Sequence, residues 1–121
     1  MVDTELKNAL MEKSHVRVYH EKPEQMSFGA PHNFVFKNAG SGEHLGELRF
    51  QKGPIKETGI NGVSNEVLLA VVVARLEAFN KGEHVCRENS LAITAVEEAL
   101  LWLKKRTLDR ELKGVEGTNK K

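Results

Sequence analysis

The sequence predicts an α+β fold: a small N-terminal antiparallel sheet followed by a long C-terminal antiparallel helical hairpin. Three observations carry this. Short segments of alternating β-branched and aromatic residues occupy the first half, separated by loops containing Pro and Gly. Two apolar, helix-patterned segments fill residues 64–112, divided only by Asn80-Lys81-Gly82-Glu83. A length of 121 residues points to one domain, 1–121, with a strand-rich part over 1–54 and the hairpin and tail over 55–121.

In chain order, residues 1–13 read as a short helix with Val2, Leu6 and Leu10 on one face and Asp3 or Thr4 near its start. His15 to His20 alternates as a strand does. Pro23, Gly29 and Pro31 mark a loop, in which Phe28 is expected to anchor on the core. Asn33 to Lys37 and His44 to Gln51 read as a strand pair joined by a turn carrying Gly40 and Gly42. This gives about three strands, near the minimum for an independently stable sheet. Pro54 cannot donate to a ladder, so the sheet ends before it. Asn61-Gly62 signals a turn because both residues tolerate positive φ, and its amides also suit an anion-binding nest beside a helix start.

Ser64 is the expected N-cap of the first hairpin helix, with Glu66 in its first turn. Val67 to Ala74 could also be a buried strand, but the pattern continues through Phe79 and Gly82 follows as a C′ residue, so helix is preferred. The second helix should start between Glu83 and Cys86 and end near Leu112, roughly 27 to 30 residues or about 40 Å. Val85, Ala92, Val96, Ala99, Leu100, Leu103 and Leu108 form the face toward helix one. Leu91, Ala95, Leu101 and Trp102 form another. Gly114 is a second C′ candidate. A helix apolar on nearly all sides must be covered on nearly all sides, so both helices predict contacts between subunits.

Composition excludes several classes. The chain is 40% hydrophobic and 29% charged, ordinary for a soluble protein. No signal segment is evident, and the longest apolar run is far short of the roughly 20 residues that span a bilayer. A soluble, intracellular protein is expected. Cys86 is the single cysteine, and the five histidines are scattered, so neither an internal disulfide nor a metal site is expected, and no cofactor is implied. The net charge is +1, yet residues 104–121 hold seven Lys/Arg against three Asp/Glu, +4, leaving −3 for the first 103. Such a basic pole suits phosphate, though charge alone favours a solvated helix end whose cations complement the C-terminal dipole.

The candidate binding residues read from the pattern itself lie on the hairpin. Phe79, beside the turn, could stack on a base or simply close the hairpin. Asn89, a poor helix former, could read a ligand through its amide or satisfy local backbone. Arg106 and Arg110, four apart and on one face, could clamp phosphates; alternatively Arg110 pairs with its neighbours Glu111 or Asp109. Thr107 adds a hydroxyl beside them. No Ser-His-Asp spacing, phosphate-cradling loop or convincing Cys-His pair is present, so no enzyme is expected. Glu97 and Glu98 read as a solvated face.

The runs "GINGVSNEVLLAVVVARLEAF", "CRENSLAITAVEEALLWLKKRTLDRE" and "GVEGT", within Phe50 to Thr118, resemble the phage Thoeris anti-defence sponge family, whose helical hairpin is shared with phage anti-CBASS sponges. The resemblance covers about the last seventy residues well and the first fifty in outline. It implies a non-enzymatic protein, in the cytoplasm of the infected bacterial host, that binds cyclic ADP-ribose isomers made by TIR-domain enzymes and withholds them. Some members also bind cyclic di- or trinucleotides at separate sites between subunits. It implies that Phe79, Asn89, Arg106 and Arg110 hold the ligand, with Lys56 a candidate for a basic contact from the segment before helix one. It also implies dimers or multimers of dimers, with neither a membrane nor nucleic acid as partner. The alternatives are an oligomeric nucleic-acid-binding protein using the basic end of helix two, a nucleotide hydrolase, and a structural phage protein. Asn89 and Arg106 are 17 residues apart on one helix, about 25 Å, so a shared pocket would need a second chain.

Overall fold

Alternation along the first half places three strands where the sequence suggests them and a fourth in place of the suggested helix. The computed structural model describes residues 2–8, 10 and 14–114. Two compact units are distinguished, one within Met1–Gly53 and Thr58–Gly62, the other within Pro54–Glu57 and Val63–Lys121.

The first unit is an antiparallel sheet in the order β1 (Val2–Glu5), β2 (Val16–Glu21), β3 (Asn33–Asn38) and β4 (His44–Arg49). The expected helix over 1–13 is therefore corrected over Val2–Glu5. Val2 and Thr4 are β-branched, the segment pairs with β2 (Thr4 opposite His20, Glu5 opposite Tyr19), and edge pairing overrides a weak helical pattern. Leu10, counted on the helical face, is 97% exposed; residues 9 and 11–13 lie outside the described residues. Register puts Val18 opposite Phe36 and His20 opposite Phe34, with Leu48 next across, so these residues share one face. Val18 is the buried centre of the unit, and Phe34 meets Phe50 edge to face at 5.7 Å.

Two polar devices shape this unit. Asn38 Oδ1 accepts from the backbone N–H of Gly40 (2.8 Å) and Ser41 (3.0 Å), and Gly42 takes φ +77°, so the β3–β4 turn closes as expected. Glu21, buried, accepts from the N–H of His32 (3.0 Å) and Asn33 (3.1 Å) and from Asn33 Nδ2 (3.1 Å). Burial pushes its carboxyl up, but these bonds and one from its own backbone N–H outweigh burial and hold the pKa at about 2. Phe28 is not a core anchor: it is 66% exposed at φ +56°, touching only the edge of His32 among the ring contacts.

Gly62 is needed for a reason other than the one the dipeptide suggests. Neither Asn61 nor Gly62 has positive φ. A Cβ on Gly62 would lie 2.4 Å from the Phe50 carbonyl carbon, so the loop packs against the chain where only hydrogen fits.

In the second unit a single turn, α1 (Ile55–Thr58, its last residue counted with the sheet unit), precedes α2 (Asn65–Asn80) and α3 (Arg87–Leu112). Ser64 caps α2, its Oγ accepting from Val67 N–H at 3.1 Å. Cys86 caps α3 through Sγ, and Asn80 ties the turn by donating to Ser90 Oγ (3.0 Å) and accepting from Cys86 N–H (3.2 Å). Gly114 closes α3 at φ +71°, as expected; Gly82 does not take positive φ, because the first helix ends on Lys81 in a right-handed turn instead. The tail beyond 114 lies outside the described residues.

Ala92, Val96, Ala99, Leu100 and Leu103 are half-buried, as their shared face requires, but Val85 (60%) and Leu108 (48%) are exposed at the hairpin's ends. Val73 is buried, whereas Val67, Val71, Val72, Leu91, Leu101 and Trp102 are exposed. The apolar surplus that the sequence predicts is therefore present on both helices.

Candidate functional site

The hairpin positions its candidate residues in two groups. The first gathers at the turn. Phe79 falls in the last turn of α2, one helical turn after Arg75, whose guanidinium carbon lies 4.8 Å from the ring centroid. His84 meets the same ring edge to face, 5.8 Å away at 78°. Asn89, in the first turn of α3, donates through Nδ2 to the His84 carbonyl at 3.1 Å. Phe79 and Asn89 thus both contact His84, one through its ring and the other through its carbonyl. The Asn89 amide is held by backbone, as its poor helix propensity allows, and its Oδ1 has no partner among the described residues.

The second group lies toward the C-terminus of α3. Arg106 and Arg110 line one open groove of about 480 Å³ with Trp102, Lys105, Asp109 and Lys113. Four cations face a single carboxylate there. Asp109 pairs with Lys105 (2.8 Å), a one-turn pair on the same helix. The negative end of the helix dipole sits at this terminus and stabilises the clustered cations. Thr107 is half-buried beside them. Lys56 is exposed on α1.

The two groups do not meet within one chain: 17 residues of continuous α3 separate Asn89 from Arg106, about 25 Å. Sequence reasoning missed Arg75, His84, Trp102, Lys105 and Lys113 as neighbours of the chosen residues. Helical arithmetic could have found most of them. Arg75 and Trp102 each precede a chosen residue by four, and Lys113 follows Arg106 by seven. His84 sits in the turn, where no period applies.

Among the described residues no three of His, Cys, Asp or Glu are placed to hold a metal ion, and no helix is long and apolar enough to cross a membrane.

A paired helical hairpin with a basic C-terminal groove and an aromatic, amide-bearing turn defines a class. Residues 45–108 match the family described as Acb2/Tad1, hairpin domain, and the chain belongs to that family. It is also 44% identical over 140 residues to "Thoeris anti-defense 1" of Bacillus phage SBSphiJ7, a match covering 97% of this chain and 99% of that protein. The similarity therefore extends through the sheet as well as the hairpin, and the chain is a phage anti-defence protein.

Proposed function

We propose that the protein sequesters cyclic ADP-ribose nucleotides made by TIR-domain enzymes, in the cytoplasm of the infected host, without degrading them. Phe79 supplies a face for the adenine and Asn89 Oδ1 accepts from the base edge. Arg106 and Arg110 hold the pyrophosphate by charge-assisted hydrogen bonds, with Thr107 adding a hydroxyl. Lys56 adds a further cation from the segment before α2. The protein works as a homo-oligomer, and this reading extends to cyclic di- and trinucleotides at separate sites between subunits. No general acid or base takes part, because retention needs affinity alone.

The observation that carries this reading is the separation of the turn, with Phe79 at the end of α2 and Asn89 at the start of α3, from the arginine end of α3, with exposed apolar residues between them. A second copy running antiparallel would bring the arginine end of one chain to the turn of the other while covering Leu91, Leu101 and Trp102. Titration calorimetry against a panel of cyclic ADP-ribose isomers and cyclic oligonucleotides tests it. Tight binding is expected, with intact ligand recovered after the protein is heat-denatured. Recovery of a hydrolysed ligand would establish an enzyme. Binding only to polynucleotide, lost steeply with salt, would favour the nucleic-acid reading.

A further inference from the structure

The sheet unit holds a second cation-bearing hollow, built from residues that the hairpin site does not use. His32, Asn33, Arg49, Phe50, Lys52 and Asn61 line a cavity of about 230 Å³. Its wall is a fixed construction. Asn61 clasps Lys52 twice, Oδ1 accepting from the Lys52 N–H and Nδ2 donating to the Lys52 carbonyl, both at 2.8 Å. Gln51 spans the same loop, donating to the Gly59 carbonyl (2.8 Å) and accepting from the Asn61 N–H (3.0 Å). Gly62 then packs on the Phe50 backbone so closely that no side chain fits. On the other side Arg49 stands opposite Asn33 across the β3–β4 ladder.

The charges around this hollow are out of balance. Among the described residues neither Arg49 nor Lys52 has an acidic partner. The nearest acid along β4, Glu47, faces His44 at 3.2 Å. Glu21, which binds the backbone of His32 and Asn33, already accepts from three N–H donors. One carboxylate thus stands against two cations. A wall residue, His32, also carries a buried Nδ1 with no hydrogen-bond partner.

We propose that this hollow is an anion site on the sheet unit that takes a phosphoryl group, separate from the arginine groove of α3. Arg49 supplies a planar guanidinium suited to two phosphate oxygens at once. Lys52 supplies a second, mobile charge whose backbone is fixed by Asn61. Phe50 gives the cavity an apolar floor.

The test uses inorganic phosphate and the full chain, with Arg106→Ala and Arg110→Ala introduced so that the hairpin groove cannot contribute. Broadening of the phosphorus resonance on adding this protein is expected, at constant ionic strength set with chloride. Adding Arg49→Gln and Lys52→Gln should remove it, weakening phosphate at least about tenfold, with circular dichroism unchanged because both side chains are exposed. No broadening in the first protein, or equal broadening in both, would overturn the proposal. Either result leaves the cyclic ADP-ribose reading standing, since that reading rests on Arg106 and Arg110. If the Gln pair alters the circular dichroism, Arg49→Lys with Lys52→Ala replaces it, and retained broadening there would equally count against the site.

Discussion

The sheet unit and the hairpin satisfy their side chains in opposite ways. In the sheet unit the decisive polar groups find partners inside the unit: Glu21 on His32 and Asn33, Asn38 on its own turn, Asn61 on Lys52. In the hairpin a polar network ties the turn, through Asn80, Cys86 and Asn89, and the helix faces beyond it expose Val71, Leu101 and Trp102. Uncovered apolar residues along both helices are what the proposed contact with a second copy would bury.

Substitutions can break or sharpen that contrast. The largest effect should come from Val73→Asp, which places a charge at the buried centre of the hairpin; about 4 kcal/mol or more is expected from an unpaired buried charge. Its neighbour Val72 is 40% exposed, so Val72→Asp should leave helicity intact yet dissociate the proposed oligomer. Circular dichroism with light scattering separates the two, and a native-sized assembly of the Val72→Asp protein would show that this face is not an interface.

Gly62→Ala comes next. The added carbon meets the Phe50 carbonyl at 2.4 Å, and overpacking against backbone should cost about 2–3 kcal/mol in a urea melt. A wild-type midpoint would mean that the loop moves aside freely.

Glu21 sharpens the comparison through pH. Its folded pKa of about 2 lies below its ordinary 4.5, so its contribution is fully present above pH 4.5 and is lost as pH falls toward 2. The shift corresponds to about 3 kcal/mol at neutral pH. Glu21→Gln should lower the urea midpoint at pH 7 and flatten the fall between pH 4.5 and 2. An unaltered pH profile would remove Glu21 from the account. The smallest effect belongs to Lys105→Ala, since an exposed one-turn pair with Asp109 contributes less than about 0.5 kcal/mol.

The two regions also differed in how far they could be read from sequence. The hairpin was almost fully legible, because Ser64, the period of 3.6 and Gly114 are local signals that the structure keeps. The start of the sheet was not: Val2 to Glu5 becomes a strand only because β2 lies beside it, a non-local cause. The same limit applies to Gly62, whose importance comes from Phe50 twelve residues earlier, and to Glu21, whose partners lie eleven and twelve residues later. For the candidate site, residues spaced by helical turns were legible as groups. His84, which joins Phe79 to Asn89, was not, because a turn has no period.

The proposed pocket draws Asn89 and Arg106 from different chains. Asn89→Ala and Arg106→Ala proteins, each expected to lose cyclic ADP-ribose binding in calorimetry, should be refolded together in equal amounts. In a two-fold dimer half of the assemblies become mixed and each of those regains one intact pocket, so about a quarter of the wild-type sites should return. No recovery, with mixed assemblies demonstrated by mass spectrometry, would contradict the claim.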